Sequence, residues 1–337
     1  MEILFSSRLI QVIVTTETFA LGVNMPARSV VLDSLVRRID GPRSALRVRE
    51  LSQMAGRAGR RGMDEKGFVY LRVNPWETSL AQVEHLISGK PEEVSSRFNL
   101  TYATVLNLYR NYGKDLLPFY QKTLHAFQAN TLQQREAFSL IERKLQLLGN
   151  LGYIQPVNDA SPASSRKLTP KGEFALQIYG YELLLSELFK AGILDRLNGV
   201  DLSILMLALV YEPRRGRPAV RLPHRFRSME EEAQGILEKI HREERRLRIT
   251  PMTKGPAFDL SAGMERWIGG ADFDKVVELV DMAEGELIRY LRMTVQLLRA
   301  LAAARIANPA LRDKAGKLLP RINRAEVDAE AELRRSL

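Results

Sequence analysis

The sequence predicts an α/β segment built on a partial parallel sheet, followed by a mainly α region. Three observations predict it. Short apolar runs alternate with one helix-like stretch over roughly the first 75 residues, which is the pattern of a parallel sheet with crossover helices. From about residue 78 onward, apolar positions recur at helical spacing. Between the two, residues 142–174 read as helix, strand, polar loop, strand, helix, the shape of a winged helix.

Taken in order, LIQVIVTT (9–16) is a nearly continuous apolar run and reads as a buried parallel strand. RSVVLD (28–33) and GFVYLRV (67–73) read as two further strands. VRELSQMAGRAGR (48–60) reads as a helix that ends in Gly/Arg-rich sequence. Helices follow at 78–88, 101–112, 131–150, 172–191, 201–210, 229–248, 273–283 and 284–306. In the hairpin grammar, YIQPV and RKLT are the strands. Thr169 is placed to cap the next helix, with Pro170 as its first residue. PRRGRPAVRLPHRFR (213–227) reads as a Pro/Arg-rich linker.

Composition narrows the chemistry. With 337 residues the chain has room for about two domains, and 45% hydrophobic residues argue against wholesale disorder. There is no Cys, which excludes disulfides, thiolate zinc sites and a Cys nucleophile. The four His are scattered without ligand spacing, so no metal cluster is expected. No run of about 18 apolar residues exists to span a membrane, and no leader is evident; the default expectation is a cytoplasmic protein. The net charge is +10, carried by 37 Arg against 13 Lys. Arg offers a planar fork that suits phosphates, so nucleic acid is a natural partner. A genome that favours Arg codons accounts equally well for the excess.

Two segments carry chemistry. In QMAGRAGRRG (53–62), Arg57 and Arg60 are three apart, and on a helix they share a face. Two convergent guanidiniums flanked by glycines suit a closely approaching polyanion; a solvated basic helix start is the plain alternative. In ETFALGVNMPAR (17–28), Gly22 and Asn24 follow a predicted strand that ends at Thr15 and Thr16. Hydroxyls and N–H groups at a strand's carboxyl end make a phosphate site; an ordinary strand-to-helix connection reads the same way.

Together these segments resemble motifs V and VI of superfamily 2 helicases. TTETFALGVNMPARSVV and LSQMAGRAGRRGMDEKG are closest to the superkiller-type (Ski-like) DEAD/DEAH-box RNA helicases. SSRFNLTYATVLNLY (95–109), LTPKGEFALQIYGYELLLSELFKAGILDRL (168–197) and MERWIGGADFDKVVELVDMAEGELIRYLRMTVQLLRAL (264–301) resemble later parts of that family, the last its DSHCT region. The resemblance implies a partial RecA-like sheet at 1–76, connecting helices and a winged helix at 77–180, and a helical bundle of the DSHCT, ratchet type at 181–337. It implies that Thr15 and Thr16 contact RNA backbone and that Gly22 and Asn24 face the nucleotide. Gln53 would contact ATP or relay to the first RecA-like domain, and Arg57 and Arg60 would be arginine fingers. In the bundle, Glu286, Arg289 and Arg292 would touch single-stranded RNA. The implied cofactor is ATP with Mg2+.

The sequence departs from the family in one respect that decides activity. No G-x-x-x-x-G-K-[ST] loop is present, since the Gly-Lys pairs at 89, 113 and 316 are followed by Pro91, Asp115 and Leu318. The sole Asp-Glu pair, Asp64-Glu65, lies just past the Arg cluster. The expectation is a portion of an RNA helicase, inactive alone and completed by a front half in cis or trans. Two other readings stay open: a non-catalytic winged-helix and bundle module that binds RNA, and a related DNA-repair helicase. The short 112–140 connection also leaves no room for the large arch of exosome-associated relatives.

Overall fold

The computed structural model describes residues 4–5, 7, 9–16, 25–38, 43–155, 168–178, 180–213 and 223–330. The chain forms two compact units, residues 1–95 and 96–337.

In the first unit, β1 (Ser29–Leu32) and β4 (Phe68–Leu71) pair in parallel, Ser29 opposite Phe68 and Leu32 opposite Leu71. The run VVL and the run FVYL are β-branched and aromatic, which suits a pleated surface. Between them, β2 (Val36–Arg38) and β3 (Arg43–Ala45) form an antiparallel pair. The helix α1 (Val48–Ala55) and, past β4, α2 (Leu80–Ser88) complete the unit. Leu32, Leu35, Leu46, Leu51 and Leu86 form its small core. Val31 and Tyr70 remain 70% and 56% exposed, so part of the sheet is uncovered.

Residues 9–16 correct the first expectation. They form no strand and are not buried: Leu9, Val12 and Val14 are 75%, 78% and 95% exposed. The reason is physical, because a strand needs a ladder partner, and among the described residues none pairs with this run. The helix expected over 48–60 also ends early, at Ala55.

The second unit is helical around one continuous apolar core that runs from Leu100 to Val327. It opens with α3 (Tyr102–Tyr112), α4 (Leu116–Tyr120), α5 (Leu124–Gln128) and α6 (Thr131–Asn150). The predicted hairpin is represented by one antiparallel bridge, Ile154 with Leu168; residues 156–167 lie outside the described residues. Thr169 caps α7 (Pro170–Gln177), accepting the Gly172 N–H, with Pro170 in the first turn. The helix expected over 172–191 is broken: α8 spans Glu182–Lys190, and Gly180 takes φ +92° between the two.

Beyond α9 (Ile193–Arg196), α10 (Gly199–Val210) is apolar on all sides, with every residue from Leu202 to Val210 buried. A helix with no polar face belongs at the centre of a bundle. It packs against α12 (Ser261–Ile268), α14 (Glu284–Ala303) and α15 (Pro309–Ile322). The helix α11 (His224–Arg246) begins inside the expected linker, and α13 (Phe273–Val280) packs on α12. Arg214, Arg215, Arg217 and Arg221 of that linker lie outside the described residues. Neither α12 nor α15 was legible as a helix, although Asn308 caps α15 ahead of Pro309 in the same way as Thr169-Pro170.

Candidate functional site

The site is built outward from α1. Four N–H groups at a helix start lack intrahelical partners. Here Glu92 accepts those of Val48 (2.9 Å) and Arg49 (3.1 Å), and Glu50 accepts that of Arg47 at 2.9 Å. Burial alone would raise the Glu92 carboxyl; the N–H groups of Arg49 and Val48 outweigh it and hold Glu92 below its usual range. Negative charge at this end also suits the helix dipole. Val48 and Leu51 turn inward, which leaves Gln53 exposed on the opposite side.

At Gly56 the helix stops, and the chain enters a backbone stitch. The Ala27 N–H donates to the Arg57 carbonyl at 2.9 Å, and the Ala27 carbonyl accepts the Gly59 N–H at 2.7 Å. Ala27 and Ala58 thus form an isolated parallel bridge just ahead of β1. The end of the 17–28 segment and the heart of the 53–62 segment, 31 positions apart at Ala27 and Ala58, are held side by side. Gly59 (φ +91°) and Gly62 (φ +78°) flank Arg60 and Arg61 in the left-handed region that glycine tolerates. Gly67 closes the loop: a Cβ there would stand 2.5 Å from the Ala58 carbonyl carbon and oxygen.

This geometry corrects the helical placement of the two arginines. Arg57 lies in the turn after α1, half-buried, and Arg60 lies in the loop beyond, so they do not share a helix face. What the stitch holds to Ala27 is the Arg57 carbonyl and the Gly59 N–H. Arg60 is paired with Asp64, Nε to Oδ2 at 2.7 Å and Nη2 to Oδ1 at 2.8 Å, and its backbone N–H reaches Oδ2 at 3.0 Å. Hydrogen bonding to Arg60 holds the Asp64 carboxyl at about 2, with further support from the charges of Arg60 and Arg28. The same hydrogen bond raises the Arg60 guanidinium. Sequence reasoning treated Asp64 only as half of an acidic pair; its i,i+4 spacing from Arg60 was the available signal.

Thr15 and Thr16 are exposed on the irregular run 9–16. Gly22 and Asn24 lie outside the described residues. On α14, the expected stripe Leu287, Leu291, Val295, Leu298 and Leu301 is buried, with Ile288 half-buried. Tyr290, Thr294 and Leu297 are buried too, because α10 and α15 both pack on this helix. Arg289 is exposed with its guanidinium 4.6 Å from the Tyr290 ring centre. Glu286 sits half-buried in the first turn, where an acid complements the helix dipole. Arg292 is committed within the chain, its Nε to the Val327 carbonyl (2.9 Å) and its Nη2 to that of Glu326 (3.1 Å).

Arg324, Arg321 and Lys314 are committed in the same manner. Arg324 donates to the carbonyls of Trp267 (2.7 Å) and Ala271 (2.8 Å) and stacks 3.5 Å from the Trp267 ring centre. Arg321 reaches the Ile268 carbonyl at 3.0 Å, and Lys314 those of Asp195 and Leu197. Cations at helix C-termini satisfy orphan carbonyls and the dipole. Among the described residues, no group of three His, Asp or Glu could hold a metal ion, and no helix is long and apolar enough to cross a membrane.

Residues 165–329 match the DSHCT (NUC185) domain. The chain is 47% identical over 109 residues to Superkiller complex protein 2 of Homo sapiens, covering 32% of this chain and 9% of that protein. It is 43% identical over 130 residues to Exosome RNA helicase MTR4 of Homo sapiens, covering 38% and 12%. It is 42% identical over 109 residues to Antiviral helicase SKI2 of Saccharomyces cerevisiae, covering 32% and 8%. The matched stretch is thus about a tenth of each relative's length. The DSHCT match over residues 165–329 and this degree of identity support a C-terminal portion of a Ski-like helicase.

Proposed function

We propose that this chain is the rear part of an ATP-dependent RNA helicase, in which ATP hydrolysis drives 3′-to-5′ movement along RNA. In this reading residues 1–76 belong to the second RecA-like domain, 77–180 include the winged helix, and 181–337 form the ratchet-type bundle. The observation that carries it is the Ala27 stitch, which draws Arg57 and Gly59 to the end of the first motif. A glycine-bracketed loop with two guanidiniums fits a polyphosphate, which Arg forks bind bidentately. Arg57 and Arg60 would oppose the γ-phosphate of ATP, with Gln53, Gly22 and Asn24 nearby. Thr15, Thr16, Glu286, Arg289 and Arg292 would meet single-stranded RNA.

The donor set here fits phosphate rather than Mg2+, because Asp64 is committed to Arg60. The magnesium ligands and the phosphate loop would come from a front half, in cis or in trans. Since phosphoryl transfer depends on positioning from both sides of a cleft, the chain alone is expected to turn over no ATP. Mg2+-dependent hydrolysis by the pure chain, abolished in Arg57→Ala, would overturn that expectation. Binding to single-stranded RNA and to DNA of equal sequence tests the substrate. Preference for RNA supports the reading, preference for DNA supports a repair helicase, and no binding to either removes RNA movement from it.

A further inference from the structure

Arg60 meets Asp64 edge to edge. Its Nε–Nη2 edge is closed by the two carboxylate oxygens, at 2.7 and 2.8 Å. Among the described residues, Nη1 has no partner. The Asp64 side chain is only 8% exposed, while that of Arg60 is 27% exposed. The backbone repeats the lock: Asp64 Oδ2 accepts the Arg60 N–H, and the Arg60 carbonyl accepts the N–H groups of Met63 and Asp64, each at 3.0 Å. The loop itself is pinned at Ala58 by the bridge to Ala27 and by the close approach of Gly67.

A carboxylate beside a phosphate site is at first sight unfavourable, because it repels the anion. Its use is to order the arginine. A free Arg side chain loses considerable rotamer freedom when it binds, and ordering it beforehand removes that cost from the binding step. A fork with one edge held has a single remaining edge to offer, so its direction is fixed as well.

We propose that Asp64 is a positioning residue that holds the Nε–Nη2 edge of Arg60 so that the Nη1 edge is pre-set for a polyphosphate oxygen. This rests on Arg60 being a phosphate contact, as put forward above, and adds the residue that aims it. The sign of one substitution separates aiming from mere proximity. Asp64→Asn removes a negative charge near the site. If Asp64 were a bystander, anion binding would tighten; if it aims Arg60, binding weakens despite the gain in positive charge.

The test uses the chain itself, labelled with 15N-arginine, and inorganic tripolyphosphate as the probe. The Arg60 Nε–H signal is expected to exchange slowly with water at neutral pH and to shift on titration. Arg60→Ala and Asp64→Asn are each expected to weaken binding about tenfold, the usual worth of a charge-assisted hydrogen bond. Asp64→Glu is expected to restore part of the loss, with thermal unfolding confirming that each variant is folded. Weakening by Arg60→Ala but not by Asp64→Asn overturns the positioning role and leaves the phosphate contact standing. No effect of Arg60→Ala overturns both. Fast exchange of the Arg60 Nε–H in the unsubstituted chain overturns the proposal without recourse to any variant.

Discussion

Arg60 and Asp64, four positions apart, are joined through side chain and backbone alike. Three N–H groups of Arg60 converge on one carboxylate, and the Asp64 N–H returns to the Arg60 carbonyl. Because Asp64 is held at about 2, the pair is intact throughout the neutral and mildly acidic range. The sign is that of a depressed carboxyl. The stabilisation is fully present above the unfolded value near 4, and is lost only as pH falls toward about 2. A 13C titration of the Asp side chains should show Asp64 still ionised at pH 3; a midpoint near 4 would remove the pairing.

Gly67 faces the backbone of the arginine loop with no room for a methyl group, 2.5 Å from the Ala58 carbonyl. Backbone cannot move aside as a flexible side chain can. Gly67→Ala is therefore expected to destabilise the first unit by about 1–3 kcal/mol, the usual cost of overpacking. Denaturant unfolding of the variant measures it directly. An unchanged midpoint would mean that the loop closes in another way.

The bundle has its own buried polar centre. Glu244, fully buried, accepts from the Tyr102 hydroxyl (2.8 Å) and from the Thr253 N–H and hydroxyl. Lys144 donates to the Leu100 carbonyl at 2.6 Å, and burial lowers its ammonium against the pull of Glu244 and Glu182. Glu244→Ala leaves these donors unpaired and is expected to cost about 3–5 kcal/mol. Calorimetric unfolding should show it as a large fall in midpoint.

Arg324 clamps the end of α12 and covers Trp267. Arg324→Ala removes charge-assisted hydrogen bonds to two carbonyls and is expected to cost about 1.5–3 kcal/mol. The chain has two Trp; Trp76 is 95% exposed and Trp267 is fully buried. The blue component of the fluorescence therefore reports on Trp267, and it should shift red in the variant.

When a front half is supplied in cis or in trans, Arg57→Ala is expected to lower ATP turnover by about 10³-fold, as for other arginine fingers. RNA binding by the same variant should change little. Equal losses in both would assign Arg57 to the RNA path instead.

Local rules in the sequence determined a good deal. The strands 29–32 and 68–71, the helix over 131–150 and the Thr169-Pro170 cap all follow from β-branching, helical spacing and capping chemistry. The arginine-glycine string was legible as well, because its residue types suit a polyanion whatever the backbone does. Only tertiary structure decided that residues 9–16 stay out of the sheet, since a strand is defined by a partner that the run does not itself contain. It also decided where the arginines stand. Three-residue spacing suggested one helix face, but Gly56 ends the helix, a bridge from Ala27 holds the backbone at Arg57 and Gly59, and Asp64 holds Arg60. Likewise, +10 of net charge suggested a basic surface. Folding turned Arg292, Arg321 and Arg324 onto backbone carbonyls, where each makes charge-assisted hydrogen bonds that no sequence spacing announces.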